Sequence, residues 1–311
     1  MKVLFLGTPD FSAVVLRALA AKFDVVAAVT NPDRPSGRGY ALRPSPLKEC
    51  AASLGIPVLQ YEKVSREGID EVAALGADIA VTAAFGQILS EKFISLFPHG
   101  VLNVHASLLP RYRGASPIQW AVLNGDEYSG VSIMRTVREV DAGDVLLQKK
   151  VRIGERETAG ELFDRLAVLG GEAICEALSL VESGAAVYTP QNPAEATFCH
   201  FITKADGKMD FRKTVRQTDC FVRGMSPWPS AYVIIGGKRV KVLETTECDN
   251  DDLPASRTPG EVLTADSALG LTVACADGAV RLCRIQPEGK AAMSDCDYLR
   301  GNRIAVGTVL E

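Results

Sequence analysis

The stretch NVHASLLPRYRG, Asn103 to Gly114, sets an amide and an imidazole two residues apart at the end of an apolar run. Alternate side chains of a strand share a face, so Asn103 and His105 project together. Such a pair of donors suits an oxygen that gains negative charge while its carbonyl carbon is attacked. Downstream, REVDAGDVLL offers Asp141 and Asp144. A carboxylate there can fix the imidazole and help exchange a proton. The chain has only three histidines, His99, His105 and His200. A lone histidine is more often structural, but one beside an asparagine, with an aspartate at the mouth of a later strand, makes an active-site arrangement. No spacing suits a metal, and no serine or cysteine sits in a nucleophile-elbow context. These residue types point to group transfer between two bound substrates, with no covalent enzyme intermediate.

The elements that must position these groups read as alternating strands and helices. KVLFLG and DVVAAVT are short apolar runs, as buried parallel strands are. Between them Phe11, Val14, Val15, Ala18 and Leu19 form one helical stripe, with Thr8 expected as its N-cap. SPLKECAASLG predicts a second helix, capped by Ser45, with Pro46 in its first position and Gly55 as its stop. IPVLQ, a helix near 65 to 75, ADIAVTAAF, a helix near 90 to 97 and GVLNVHA continue the alternation. GVSIMRT, DVLLQKKVRI and a long helix from Thr158 to Glu182 complete it. The expected fold is a doubly wound, mostly parallel α/β sheet of Rossmann type. GTPDFS after the first strand lacks the G-x-G-x-x-G fingerprint, so a nucleotide-dependent oxidoreductase finds no support.

One connection is abnormally long. NPDRPSGRGYALRP carries Arg34, Arg38 and Arg43 against the single acid Asp33. A βα loop usually has two to six residues, so this one is either a solvated insertion or a ligand-contacting loop, and its basic excess favours contact. Around VYTPQNPAEATF the periodicity breaks, which marks a linker. The expected domains are therefore 1–187, a linker at 188–203, and 204–311. In the last part YVIIGGKRVKVLE and LTVACADGAVRLCRI read as hairpins, about Gly236-Gly237 and Asp277-Gly278, of a small OB-like β-barrel. Arg239 and Lys241 share one strand face there, a stripe suited either to a phosphate backbone or to plain solvent.

The 311 residues carry a formal net charge of -4, which gives no global attraction to nucleic acid or membranes, so any such binding must be local. Eight cysteines show no C-x-x-C pair, so they are read as buried or idle thiols. The N-terminus lacks a signal-peptide pattern, and no apolar stretch approaches the roughly 20 residues that span a bilayer. The expectation is a cytoplasmic protein with no membrane association and no obligate protein partner.

NVHASLLPRYRG together with VDAGDV resembles the folate-dependent formyltransferase family. The resemblance implies catalytic roles for Asn103, His105 and Asp141, and a 10-formyltetrahydrofolate site lined by Ser107, Leu108, Leu109 and Pro110. AAFGQIL resembles the stretch that receives the pterin, mainly through backbone, which implicates Phe85, Gly86, Ile88 and Leu89; Ser90 stands where the family usually has proline. GTPDFS, PDRPSGRG, SPLK, GASPIQWA, PWPSAYV and EGKAAMS extend the likeness over nearly the whole chain, toward the family's branch that formylates methionyl-initiator tRNA for translation initiation. That branch implies direct amine attack through a tetrahedral intermediate. It also implies tRNA contacts by Arg38, with Arg34, Arg43, Arg239 and Lys241 as further candidates. Formyl transfer to a small amine or sugar nucleotide is the alternative, against which the long basic loop and the second domain argue. A non-catalytic RNA-binding module is opposed by the intact Asn-His-Asp set.

Overall fold

A computed structural model describes residues 1–36, 41–248 and 257–310. The chain forms two compact units, one of Met1–Pro117, Ser129–Val151 and Phe163–Cys199, the other of Ile118–Tyr128, Arg152–Leu162 and His200–Glu311. Two earlier segments thus join the C-terminal unit, where composition alone marks a simple succession with breaks at 187 and 204.

The first unit is built on a seven-stranded sheet in the order Val145–Arg152, Tyr128–Arg135, Val101–His105, Ile79–Ala83, Lys2–Gly7, Asp24–Thr30, Val58–Gln60. From Val58–Gln60 to Val101–His105 all neighbours are parallel, and Tyr128–Arg135 then runs antiparallel to Val101–His105. The interior strands are mostly apolar because both faces are covered. On one face Leu4, Leu6, Val29 and Ala80 pack with Val64, Val72, Phe93 and Phe97. On the other, Phe11 meets Phe163 edge-on at 5.6 Å. The long helix Ala159–Glu182 comes close to Asp10–Ala20 because Gly170 and Gly171 lie against Val15 and Ala18, where a Cβ would crowd.

Strand order reverses direction between Lys2–Gly7 and Ile79–Ala83, so the crevice at the C-terminal ends of these strands is the natural ligand position. Three strand ends are tied together there. Asn31 Nδ2 donates to Thr8 Oγ1 at 3.0 Å, and Thr8 Oγ1 donates to the Phe85 carbonyl at 3.5 Å. Thr8 is therefore not the expected cap: the helix starts at Asp10 behind Pro9, with no side-chain cap. Ser45 does cap Pro46–Ser53, accepting from Lys48 N–H at 3.1 Å. The helix expected near 65 to 75 is two short ones, Val64–Glu67 and Ile69–Ala74, broken at Gly68, which packs under the Tyr61 ring. Among the described residues no helix is long and apolar enough to cross a membrane.

The second unit holds the antiparallel sheet Ala231–Ile235, Lys238–Glu247, Ala279–Pro287, Gly270–Ala274, Val262–Asp266, with Met293–Ser294 on Ala279–Pro287. It encloses Val240, Val242, Val273, Leu282 and Ile285, and the amphipathic helix Val215–Gly224 lends Val215 and Val222 to the same core. Both expected hairpins are present. Gly236 and Gly237 turn the first with φ of 56° and 75°, a conformation glycine adopts without strain.

Asp295 staples this unit. It is 1% exposed and accepts Arg281 Nε at 2.7 Å and Nη2 at 2.9 Å, with Leu271 N–H at 2.8 Å and Cys296 N–H at 2.9 Å. Burial alone pushes its carboxyl up, but Arg281 and the two amides outweigh burial and hold it below the ordinary range. A depressed pKa stabilises above the unfolded value of about 3.9 and is lost as pH falls through the folded value. Asp295→Ala should cost about 3 kcal/mol, the low end for breaking a buried pair because Arg281 is partly exposed. Urea unfolding at pH 7 checks this, and below pH 4 the difference between wild type and variant should shrink.

Candidate active site

Val101–His105 lies beside Ile79–Ala83 in a register that sets Thr82 against Asn103. Thr82 Oγ1 donates to Asn103 Oδ1 at 2.8 Å. That fixes the amide, whose Nδ2 then points to Asp141 Oδ1 at 3.4 Å. His105 is 6% exposed and its Nε2 lies 2.8 Å from the Tyr112 carbonyl. A carbonyl only accepts, so Nε2 carries a proton and Nδ1 is the nitrogen left to face Asp141. Nδ1 faces Asp141 Oδ2 at 3.6 Å, too far for a direct hydrogen bond. The Tyr112 carbonyl rather than Asp141 therefore makes the bond that orients the ring.

Asp141 is drawn in by a different partner. Its Oδ2 accepts the Gly114 N–H at 2.8 Å, and its own backbone takes φ of 49°, rare for a residue with a Cβ. Gly114, at φ of 103°, has the Cys199 carbonyl where a Cβ would be, so no other residue fits. Asp144 stays with the strand, its carbonyl accepting the Arg135 N–H at 3.0 Å. Of the two carboxylates, Asp141 is the one that reaches the Asn103 and His105 side chains.

The turn Ser107–Pro110 follows the same strand end and is organised by Ser132, which is fully buried. Its hydroxyl donates to the Ser107 carbonyl at 2.6 Å and accepts the Leu109 N–H at 3.0 Å and Gln148 Nε2 at 2.8 Å. Gln148 Nε2 also reaches the Leu109 carbonyl at 2.8 Å, and Ser107 Oγ donates to the Arg111 carbonyl at 2.7 Å. These bonds hold an apolar ledge beside His105, with Leu109 buried and Leu108 and Pro110 half-buried. The Leu109–Pro110 peptide is cis.

Phe85, Gly86, Ile88 and Leu89 follow the neighbouring strand end. Phe85 and Leu89 belong to the core, while Ile88 is 84% exposed and Gly86 has φ of 77°. With two side chains turned inward, this stretch offers a ligand mainly backbone. Gln87 pins it from inside, donating to Asn31 Oδ1 at 2.7 Å and to the Tyr61 carbonyl at 2.8 Å. Ser90 accepts the Phe93 N–H at 3.2 Å and so begins Glu91–Ile94.

The basic loop contains a small hairpin, Arg34–Ser36 paired with Ala41–Arg43, which sets Arg34 opposite Arg43. Both side chains are exposed, and Arg34 pairs with Glu62 at 2.8 Å. Arg38 lies outside the described residues. In the other unit Arg239 lies 3.8 Å above the Tyr232 ring, and Lys241 stands opposite Tyr232 and Gln286 on the same strand face.

Sequence reasoning missed Thr82, Tyr112, Gly114, Ser132 and Gln148. Ser132 and Gln148 carried a usable signal, as polar residues inside otherwise strand-like runs. Tyr112 and Gly114 act through backbone atoms, which residue type does not reveal.

Residues 1–178 match the formyl transferase family and residues 201–303 its C-terminal domain. Methionyl-tRNA formyltransferase of Lachnospira eligens is 41% identical over 314 residues, covering 100% of this chain and 99% of the relative. That of Anaeromyxobacter dehalogenans (strain 2CP-1) is 45% identical over 315 residues, covering 99% of this chain and 100% of the relative. Among solved structures, the sugar 3N-formyl transferase WlaRD, in the presence of dTDP and 5-N-formyl-THF, superposes with a TM-score of 0.67 at 16% identity. That likeness covers 94% of this chain and 99% of the other, and shows the shared fold. An Asn-His-Asp grouping at the strand ends, the double family match and identity along the full length together place the chain in the methionyl-tRNA formyltransferase family.

Proposed function

We infer that the chain is a one-carbon transferase moving the formyl group of 10-formyltetrahydrofolate to the α-amino group of methionyl-initiator tRNA. Likeness to methionyl-tRNA formyltransferases along the whole chain supports the substrates. The observation that carries the chemistry is the convergence of Asn103 Nδ2, His105 Nδ1 and the Asp141 carboxylate. Formyl transfer to a sugar nucleotide draws support from shared fold alone, as with WlaRD at 16% identity. An enzyme acting on initiator tRNA works where translation does, in the cytoplasm.

The residues present fit the folate. The pterin has an amide-like edge that suits the backbone of Phe85 to Leu89, and the apolar ledge Leu108–Pro110 suits the body of the molecule beside His105. When bound, the folate supplies the activated formyl carbon. Asn103 Nδ2 then donates to the formyl oxygen as charge develops on it, in a fixed direction because Thr82 holds the amide. His105 adds its Nδ1 to the same task when that nitrogen carries a proton, and takes a proton from the amine when it does not. The α-amine needs little help to become a nucleophile, since its ordinary pKa is about 7.7–8.0. The new bond joins that nitrogen to the formyl carbon, the bond from this carbon to the folate nitrogen breaks, and the amine's proton passes by way of His105 and Asp141 to the departing nitrogen. Asp141 provides a negative neighbour for the imidazolium while it exists.

Transfer RNA is read as held by local positive charge, since the net charge is unfavourable. Arg38, flanked by glycines, is assigned to the acceptor end, with Arg34 and Arg43 on the same loop. The part after residue 204 is assigned to more distant phosphates through Arg239 and Lys241.

Single-turnover formylation of methionyl-tRNA tests the chemistry. Folded Asn103→Ala, His105→Ala and Asp141→Ala should each lose about 10²–10³ in rate, the usual effect of removing one oxyanion donor. A wild-type rate in His105→Ala would defeat the assignment. For the second unit, removing residues from 204 onward would uncover Trp120 and Leu123, which pack on the core those residues build, so substitution is the sounder test. Arg239→Ala combined with Lys241→Ala should raise KM for tRNA and reduce the salt slope by about one for each phosphate that these cations neutralise. Folate binding should be unchanged.

A further inference from the structure

Gln191 lies in the Pro-rich stretch that sequence alone marks as a linker, yet every polar atom of its side chain is engaged at the active site. Its Nε2 donates to the Asp141 carbonyl at 2.8 Å and to the Gly143 carbonyl at 2.7 Å. Its Oε1 accepts Arg113 Nε at 3.0 Å and Nη2 at 2.9 Å. Carbonyls only accept and a guanidinium only donates, so chemistry alone fixes which way this amide points. Arg113 is 4% exposed, with Glu139 Oε1 at 3.6 Å as its acidic neighbour. The next residue after Arg113 is Gly114, whose N–H holds the Asp141 carboxylate. These bonds close a ring: Asp141 is gripped by its carbonyl through Gln191 and by its side chain through Gly114, and Arg113 joins the two grips.

The ring opposes a strain. Asp141 sits at a positive φ that a residue with a Cβ adopts only when its surroundings impose it. Gly143 adds to the constraint, since the Arg135 carbonyl occupies the position its Cβ would take. Without the Gln191 amide the carbonyls of Asp141 and Gly143 lose the donor they share, and the loop loses its tie to Arg113. We propose that Gln191, oriented by Arg113, is a positioning residue that sets Asp141 against Asn103 and His105. The proposal rests on the catalytic role assigned to Asp141 above.

Gln191→Glu tests it, because the carboxylate still accepts from Arg113 but has no proton for the two carbonyls. The expected result is kcat lower by about 10–100-fold, the scale for misplacing a group by an ångström or so. KM for tRNA and for folate should stay within about twofold, the pattern of a residue that acts on the chemical step alone. Gln191→Met, apolar and of similar length, carries the same test if the glutamate variant does not fold, and a thermal melt identifies the folded protein. The decisive measurement is a double-mutant cycle: in an Asp141→Ala background the Gln191 substitution should cost nothing further. A near-wild-type kcat in a folded Gln191 variant, or a decrease that multiplies with that of Asp141→Ala, would overturn the proposal. Full activity in folded Asp141→Ala is a separate failure, since it removes the role of Asp141 on which the proposal stands.

Discussion

The grouping of Asn103, His105 and Asp141 depends on one hydrogen bond, from the Gly114 N–H to the Asp141 carboxylate. Asn103 and His105 are delivered by a buried strand whose neighbours leave it no freedom, so their placement follows from the sheet. Asp141 has no such support. It comes from a loop 38 residues away from Asn103 and must be captured by something already in place. Gly114 provides the capture, and it can do so only because its missing Cβ lets the Cys199 segment pass beneath it. That segment pairs with Arg113-Gly114 as a short parallel bridge, so three stretches of chain distant in sequence become fixed at one point.

How each group is oriented matters as much as where it is. The Asn103 amide and the Gln191 amide could each be turned over with little change in shape, and in both the partners permit one orientation only. Thr82 meets the oxygen of Asn103 and a carboxylate meets its nitrogen. For His105 the Tyr112 carbonyl settles the tautomer, leaving Nδ1 unprotonated in the neutral ring and facing Asp141. Donors held in this way need no reorganisation when charge develops, which is the source of most electrostatic catalysis. A reaction whose nucleophile is an amine of near-neutral pKa needs this kind of site more than a strong base.

Much of the first unit was legible because its signals are local and repeated: apolar runs bounded by glycine, a serine cap at Ser45, and an Asn-x-His pattern in a strand. Thr8 shows the limit of such signals. Its type and position suit a cap, but a tertiary partner, Asn31, claims the hydroxyl. Gln191 shows a second limit. Prolines and polar residues around it are what a linker has, and the same composition serves a segment held against the loop that carries Asp141. The hairpin in the basic loop shows a third, since Pro35 and the glycines conceal a strand pairing that only geometry reveals. The interleaving of the two units was illegible for a different reason: Trp120 and Leu123 look like core residues anywhere, and only the fold says which core they join.

A protein with net charge of -4 that acts on a polyanion must separate its tasks in space. Its acids cannot be removed without losing the staples they form, as Asp295 does with Arg281 in the second unit. The Arg34 to Arg43 segment and the Arg239 and Lys241 face are short stretches where cations outnumber acids, and they are the ones proposed above to supply local attraction. Each is built on strand pairing, which points alternate side chains the same way and, in the second unit, keeps Val240 and Val242 inward. Stacking on Tyr232 also limits the conformations open to Arg239, so less entropy would be lost in the phosphate contact proposed for it. On the proposed reading, local preorganisation of charge substitutes for bulk charge, as preorganised hydrogen bonds at the Asn103 end substitute for a strong base.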